Sequence, residues 1–266
     1  MKVLLAVDGN SIGSRAYYTG NLLNFFSMIE KAARVTNPTH FIVAFDDPDK
    51  KSHRYQIYPD YKKDRDTQDG RYLAMSIFRE TAKQLDVPHI LAPEADDALY
   101  SLTLQKQYFD KIVVLSGDKD MYALPNDRVY LIGFTRSQGG FIQEDITPEK
   151  VYKKLSVHPW QITDYKALVG DKSDNIPGCK GIGPKGASSL LQEYTNLDNI
   201  LASIFDLRSI YRDKIMQYKD DILLSRQLAA FYEVPVPIAR ECKTPDVATM
   251  VKWVGDVARK KEMVGQ

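Results

Sequence analysis

Three short apolar runs, each stopping at an acid, constrain this chain more than any other feature. Lys2-Val-Leu-Leu-Ala-Val7 ends at Asp8, His40-Phe-Ile-Val-Ala-Phe45 at Asp46, and Lys111-Ile-Val-Val-Leu-Ser116 at Gly117-Asp-Lys-Asp120. Runs this short and continuous read as strands covered on both faces, the kind found in parallel sheets with helices on either side. Pro88-His-Ile-Leu-Ala92 is a further strand candidate, followed by Pro93-Glu-Ala-Asp-Asp97. Helical spacing fills the intervals, around Leu22–Ala33, over Tyr72–Leu85 and onward from Asp97 to Gln107, while Asp8-Gly-Asn-Ser11 reads as a turn. The pattern predicts an α/β fold with a central mixed, mainly parallel sheet flanked by helices. In such sheets ligands bind at the carboxyl ends of the strands. Acids at several of those ends therefore collect on one edge.

Val129–Ile132 and Gly140–Ile142 read as short strands joined through Ser137-Gln-Gly-Gly140. Beyond Thr147-Pro148 the strand signals stop. Helical patterns follow over Val151–Leu155, Trp160–Val169, Ala187–Tyr194, Leu197–Phe205 and Ile222–Phe231. The expected organisation is an α/β core over 1–148, a helical subdomain over 149–240 and a tail over 241–266. With 266 residues, 44% hydrophobic and 27% charged, the chain can bury a sizeable core. No internal repeat of fixed period and no apolar stretch of membrane-spanning length is present, and Met1–Val7 leads into Asp8 rather than a signal-cleavage site. The expectation is no membrane partner and an intracellular, cytoplasmic setting. Cys179 and Cys242 offer neither a disulfide framework nor paired ligand spacing, and His40, His53, His89 and His158 show no ligand spacing either. Trp160, Trp253, Phe25 and Phe26 read as core.

The chemistry lies in the acids and in two basic stretches. Asp8, Asp46, Glu94, Asp96, Asp97, Asp118, Asp120, Asp171 and Asp174 fall mostly at strand ends or in loops. Packed together they would repel and raise one another's pKa unless cations lie among them. Carboxylate-only sites suit hard ions such as Mg²⁺ or Mn²⁺, and two ions roughly 4 Å apart support phosphodiester hydrolysis. The window Lys50–Arg71 carries Lys50, Lys51, Arg54, Lys62, Lys63, Arg65 and Arg71 with Tyr55, Tyr58 and Tyr61 interleaved. It fits a polynucleotide surface, or a solvated loop diluted by Asp60, Asp64, Asp66 and Asp69. In Val169–Leu191, Asp171 and Asp174 precede Gly178-Cys-Lys-Gly-Ile-Gly-Pro-Lys-Gly186, a turn opening onto a helix whose N–H groups favour phosphate. The net charge of +1 decides little when the two signs are segregated. Two other readings compete. A haloacid-dehalogenase-type phosphatase wants a D-x-D where the first strand offers Asp8-Gly-Asn10. A non-catalytic DNA-binding module with a structural Mg²⁺ leaves the excess of acids without a use.

Several motifs, taken in order, resemble the 5′-nuclease (flap endonuclease) family, which includes the 5′→3′ exonuclease domain of bacterial DNA polymerase I and stand-alone phage and bacterial 5′-exonucleases. They are Val7-Asp-Gly9 with Arg15-Ala-Tyr17, Phe45-Asp46, Tyr61-Lys-Lys-Asp-Arg65, Glu94-Ala-Asp-Asp97, Ser116-Gly-Asp-Lys-Asp120 and Gly170-Asp-Lys-Ser-Asp-Asn-Ile-Pro-Gly178 with Gly181-Ile-Gly-Pro-Lys185. The resemblance covers roughly residues 2–235. It implies a PIN/Rossmann-like core, a helical arch over about 50–86 and a helix–two-turn–helix element over about 170–194. It implies a first metal cluster of Asp8, Asp46, Glu94, Asp96 and Asp97, and a second of Asp118, Asp120, Asp171 and Asp174, with Asp97 or Asp118 shared or outer-sphere.

By the same resemblance Lys62 and Arg65 contact the scissile phosphate and assist catalysis beside Asp118 and Asp171, and Tyr61 stacks on the terminal nucleotide. Arg15, Tyr17, Lys63, Lys180, Gly181, Gly183, Lys185 and Gly186 are the remaining DNA-binding positions, and in relatives the helix–two-turn–helix carries a K⁺ ion. Because no family acid is missing, a two-metal enzyme is expected. Its cofactor is Mg²⁺, with Mn²⁺ able to substitute, and its substrates are DNA 5′ ends, flaps or nicks, with RNA–DNA hybrids as a further class. It is expected to act as a monomer, alone or with a separate polymerase, in a bacterial or phage-infected cell. The short arch, with Gly70 in its middle, fits either threading or clamping of a strand.

Overall fold

The computed structural model describes residues 1–65, 70–137, 140–241 and 255. The apolar runs form the strands β1 (Val3–Asp8), β2 (His40–Asp46), β3 (His89–Ala92) and β4 (Lys111–Leu115), joined by β5 (Val129–Ser137) and β6 (Gly140–Ile146). They make one sheet in the order β3-β2-β1-β4-β5-β6, parallel throughout except for the antiparallel β5–β6 pair. Here β1 lies between β2 and β4, so successive connections leave it toward opposite edges. That reversal opens a crevice at the carboxyl ends of β1 and β4, where a doubly wound sheet binds its ligand. Asp8 and the Ser116–Asp120 loop stand at it.

Strand side chains alternate between two layers, as the period of a strand requires. Val3, Leu5 and Val7 pack with α1 (Gly9–Tyr18), α2 (Asn24–Thr36) and, beyond the short α3 (Arg54–Ile57), with α4 (Arg71–Gln84). Phe25 of α2 stacks on Phe78 of α4 with ring centroids 4.1 Å apart. Leu4 and Ala6 face the other layer, built from α5 (Ala95–Thr103) and the helices that follow: α6 (Pro148–Leu155), α7 (Ile162–Val169), α8 (Pro184–Tyr194), α9 (Leu197–Ala202), α10 (Ser209–Gln217) and α11 (Lys219–Ala229). One core thus runs from the sheet through Leu99 and Leu102 into Leu168, Leu190, Ile200 and Ile222.

Several local expectations change. Asp8-Gly-Asn-Ser11 is not a free turn: Asp8 caps α1, its Oδ1 accepting the Ser11 N–H at 2.8 Å. Gly9 is required there, because a Cβ would sit 2.3 Å from the Phe45 ring. The helix after Asp97 stops at Thr103, and β5–β6 is longer than its apolar signal. Helix α10 escaped the sequence reading because Ile215 is its only buried residue. Trp160 is not core: it is 59% exposed, beside His158. Trp253, Cys242, residues 66–69 of the arch and all of the tail except 241 and 255 lie outside the described residues.

A buried guanidinium ties α3 to α5 and to the end of α11. Arg54, 3% exposed, donates to Asp97 Oδ2 at 2.7 Å and Oδ1 at 2.9 Å, and lies 3.2 Å from Glu94 Oε1. It also donates to the carbonyls of Leu228 at 2.9 Å and Ala230 at 2.6 Å, where α11 ends. Asp97 Oδ1 further accepts the Tyr232 N–H at 3.0 Å. Removing one partner of such a pair leaves an uncompensated buried charge. Arg54→Ala is therefore expected to cost about 3–5 kcal/mol in urea unfolding, with much of it recovered when Asp97 is made apolar in an Arg54→Met/Asp97→Leu pair. Equal stability of Arg54→Ala and the parent would contradict this placement.

Candidate active site

The crevice at the strand ends is an open cleft of about 830 Å³ lined by Asp8, Asp46, Asp96, Asp118, Asp120 and Asp171, with Lys62, Arg65 and Arg15 on its walls. Several of these acids are fixed by hydrogen bonds close to where their elements end. Asp8 Oδ2 accepts from the Ser116 hydroxyl at 2.6 Å, bridging β1 to β4. Asp46 Oδ1 accepts the Ala95 N–H at 2.8 Å, at the start of α5. The Asp118 and Asp120 loop folds on itself, Asp118 Oδ1 accepting the Asp120 N–H at 2.9 Å. Asp171 lies in a loop closed by reciprocal Asp171–Ile176 backbone hydrogen bonds, and its Oδ1 accepts the Ser173 N–H at 2.8 Å.

Three of the nine acids do not line the cleft. Asp97 is bound to Arg54 and the Tyr232 N–H, so its expected place in the first metal cluster gives way to a structural ion pair. Glu94 Oε2 accepts from the Lys62 ammonium at 2.8 Å and the Tyr61 hydroxyl at 3.1 Å. Asp174 Oδ1 accepts from Arg65 at 2.6 Å, and its carbonyl accepts the Lys62 N–H at 3.0 Å. Lys62 and Arg65 thus form the wall between these acids and the cleft. Lys62 takes φ +54°, a left-handed conformation costing a non-glycine residue about 1–3 kcal/mol. The contacts to Glu94 and Asp174 hold it there.

Tyr61 is enclosed where an exposed ring was expected. It is 2% exposed, with its ring against Tyr55 and its hydroxyl on Glu94. A ring so enclosed presents no face to a nucleotide. It orients the Glu94 carboxylate instead.

Among the other expected binding residues, Arg15 reaches the cleft and donates to the Phe134 carbonyl at 2.9 Å. Tyr17 sits against Gly70, where a Cβ would come within 2.6 Å of its hydroxyl. Lys63 is exposed and paired with Asp60 at 2.9 Å. Lys180, Gly181 and Gly183 are exposed in the turn between α7 and α8, and exposed Lys185 and half-buried Gly186 follow in the first turn of α8; none of them lines the cleft. The turn is fastened by Cys179 N–H to the Leu168 carbonyl and Gly178 N–H to the Ser225 hydroxyl, both 2.8 Å. Gly183 enters α8 extended with no side-chain cap, leaving the first N–H groups of that helix without one. Burial raises the Cys179 thiol to about 11, so it is no nucleophile.

A lysine missed in the sequence completes the electrostatics. The Lys166 ammonium, buried on α7, lies 2.6 and 2.7 Å from the two Asp120 oxygens and 2.9 Å from Asp171 Oδ2. Its signal was present: a lone charge within the apolar turn Tyr165-Lys-Ala-Leu-Val169. Burial alone would lower its pKa, but Asp120 and Asp171 hold it above the ordinary lysine value.

The acids split accordingly. Burial, with Asp118 and Asp46 nearby, pushes Asp8 up to about 7. Asp96 rises through burial and the charges of Asp8 and Asp118. Asp46 and Asp120 rise through burial, only partly offset by Lys62 and Lys166 respectively. Burial also acts to raise Glu94 and Asp171, yet Lys62 with Arg54, and Lys166, bring them down to about 2.

Among the described residues no three carboxylate, histidine or cysteine groups are gathered closely enough to enclose an ion. The donor set is nevertheless all oxygen, and the raised acids Asp8, Asp46, Asp96 and Asp120 mark a surplus of negative charge along one wall. That chemistry fits a hard divalent cation.

Sequence models of the 5′-3′ exonuclease N-terminal resolvase-like domain match residues 3–156, and of the 5′-3′ exonuclease C-terminal SAM fold residues 157–248. A 5′-3′ exonuclease of Aquifex aeolicus is 32% identical, over 93% of this chain and 89% of its own length. DNA polymerase I of Bacillus subtilis is 34% identical over 90% of this chain, which spans 29% of that protein. Among solved structures, the bacteriophage T5 flap endonuclease in complex with DNA and metal ions shares the fold, with a TM-score of 0.70 at 21% identity over 97% of this chain and 98% of that one. These matches lend nothing to the phosphatase or the non-catalytic reading.

The split in acidity has a measurable consequence. Asp8 binds its proton more tightly folded than unfolded, so the metal-free protein should lose stability as pH rises from about 4 to about 7. Glu94 and Asp171, depressed to about 2, contribute stability above their ordinary values that is lost as pH falls toward 2. Thermal unfolding in EDTA should therefore peak near about pH 4–5, Asp8→Asn should flatten the alkaline side, and Mg²⁺ should raise the midpoint more at pH 8 than at pH 5. A midpoint in EDTA that climbs from pH 5 to pH 8 would refute the assignment.

Proposed function

The chain belongs to the 5′-3′ exonuclease family, and we propose that it is a divalent-metal-dependent nuclease that hydrolyses DNA from 5′ ends and also cuts 5′ flaps. The observation that carries this reading is the meeting of six acids from the strand ends and from the Asp171 loop in one cleft walled by Lys62 and Arg65. Asp8, Asp46 and Asp96 would hold one ion and Asp118, Asp120 and Asp171 the other, with Mg²⁺ the expected metal and Mn²⁺ a substitute. When bound, such ions supply an ionised water and neutralise the leaving oxygen of the phosphodiester.

The protein's own groups do the rest. Lys62 and Arg65 present cationic donors where charge develops on the scissile phosphate. Glu94 and Asp174 hold those two side chains in place. Lys166 holds Asp120 and Asp171 together until substrate and metal arrive. Arg15 adds a further cation at the cleft wall. The turn Lys180–Gly186 offers exposed backbone N–H groups, Lys180 and Lys185 to duplex phosphates at a fixed distance from the cleft. The carbonyls of Cys179 and Gly181 already accept from the Ile182 N–H and from the Lys214 ammonium at 2.7 Å, so the turn carries its own cation and we assign no K⁺ to it.

The test is cleavage of 5′-labelled flap, nicked and single-stranded DNA in Mg²⁺ and again in EDTA. Release of 5′ products that EDTA abolishes is expected, with Asp118→Ala and Asp171→Ala losing turnover yet retaining DNA binding. Binding without cleavage by the parent protein would leave only the DNA-binding module, and hydrolysis of small phosphate esters alone would restore the phosphatase. For Lys185→Ala, duplex affinity should fall and the slope of log K against log salt should become shallower by about 1, as for any single lost phosphate contact. An unchanged slope would remove Lys185 from the duplex interface.

A further inference from the structure

Lys62 is the cation assigned above to the scissile phosphate, and two separate contacts fix it. Its backbone, at φ +54°, is held by its N–H on the Asp174 carbonyl at 3.0 Å. The place of its ammonium is set by Glu94, whose Oε2 accepts from it at 2.8 Å, while Asp174 Oδ2 is 4.0 Å away. The other oxygen of the same carboxylate, Oε1, lies 3.2 Å from Arg54 Nη1. Glu94 is thus shared by two cations, one on each oxygen, and little of the three side chains is exposed. Charged contacts at both oxygens fix the plane of a carboxylate as well as its place.

Arg54 is anchored in turn by the helical layer. Besides both oxygens of Asp97, it donates to the carbonyls of Leu228 and Ala230, at the end of α11. Ser225 stands three residues before Leu228, about 4.5 Å along the helix axis. Its buried hydroxyl accepts the Gly178 N–H at 2.8 Å and donates to the Asp221 carbonyl at 2.6 Å. Gly178 opens the glycine-rich turn. A series of contacts between 2.6 and 3.2 Å therefore runs from that turn through α11, Arg54 and Glu94 to the Lys62 ammonium. Arg54, 3% exposed, cannot itself reach a substrate.

We propose that Arg54 is a positioning residue: through Glu94 it sets the place of the Lys62 ammonium relative to the glycine-rich turn, and so decides which phosphodiester is cut. The assignment rests on the nuclease reading above and adds the residue that acts through Lys62. Loosening Arg54 leaves the turn with its own N–H groups and lysines, so affinity for DNA is kept. It frees the ammonium from its fixed place, so cleavage slows and spreads over neighbouring phosphodiesters.

The experiment uses the Arg54→Met/Asp97→Leu pair, in which the buried charge is removed on both sides, with its folding checked by urea unfolding. On a 5′-labelled flap in Mg²⁺ its kcat should fall about 100-fold, the cost of misplacing a reacting group by about 1 Å. Its Kd for the same flap in EDTA should match the parent's, and its products should end at several positions where the parent's end at one. Lys62→Ala should slow the parent yet add little to the loss in the double variant, because the two residues act as one unit. Arg54→Lys keeps the buried charge but not the fork, and should give an intermediate rate with the same spread of products. A further readout needs no cleavage: acylation of the Lys62 amine, followed by mass spectrometry, should be faster in both variants than in the parent, where that side chain is 11% exposed and paired with Glu94. Parent-like kcat with a single cut position in the folded double variant, full additivity with Lys62→Ala, or unchanged acylation of Lys62 overturns the assignment. A parent that cuts no DNA would fail the nuclease reading, while the acylation rates still decide whether Arg54 holds Lys62.

Discussion

The buried guanidinium of Arg54 is the contact on which the site's geometry depends. It lies where three pieces of chain distant in sequence meet: the base of the arch, the start of α5 carrying Glu94 and Asp97, and the backbone leaving α11 at Leu228 and Ala230. Each of those acceptors would be costly to bury alone. Gathered around one planar cation, the Asp97 carboxylate and the two carbonyls find their donors, and the distances between the pieces follow from the fork of the guanidinium. Glu94 is then fixed from one side by Arg54 and from the other by Lys62, which makes the position of Lys62 depend on Arg54 one step removed.

The same logic runs through the cleft in reverse. Evolution of a carboxylate-rich wall carries a penalty in the metal-free state, and the protein meets it unequally. At Glu94 and Asp171 the neighbouring cations outweigh burial, and the acid stays ionised to about 2. At Asp120 burial prevails even beside Lys166, and at Asp8 it raises the acid to about 7. One set of acids is therefore assembled and ionised before any ion binds. The other keeps protons that an ion would displace, a coupling of metal affinity to pH built into the wall.

Much of this was readable in the chain itself, for identifiable reasons. The runs before Asp8, Asp46 and Asp118 are apolar over their whole length because both faces of a parallel strand are covered, so both strand and terminal acid could be placed. Tyr61, Asp97 and Lys166 meet partners that the sequence reading did not anticipate, and the reason is common to all three. Each sits in a motif or run whose neighbours point to one role, while its own partner comes from elsewhere: Glu94 for Tyr61, Arg54 for Asp97, Asp120 for Lys166. Trp160 and α10 failed differently. An aromatic residue on an exposed helical corner and a helix burying only Ile215 carry no periodic signal of their true environment.

Local composition was thus sufficient for the α/β class, the strand ends and the glycine-rich turn, because each is a property of consecutive residues. Which acids face the cleft and which are neutralised by a side chain are properties of long-range pairs. The contacts Arg54–Asp97, Arg65–Asp174 and Lys166–Asp120 close over 43, 109 and 46 residues. Charges at that separation meet only once the sheet and the helical layer have packed. Burial then decides whether a carboxylate pairs with a cation or keeps its proton, and no window of sequence contains that choice.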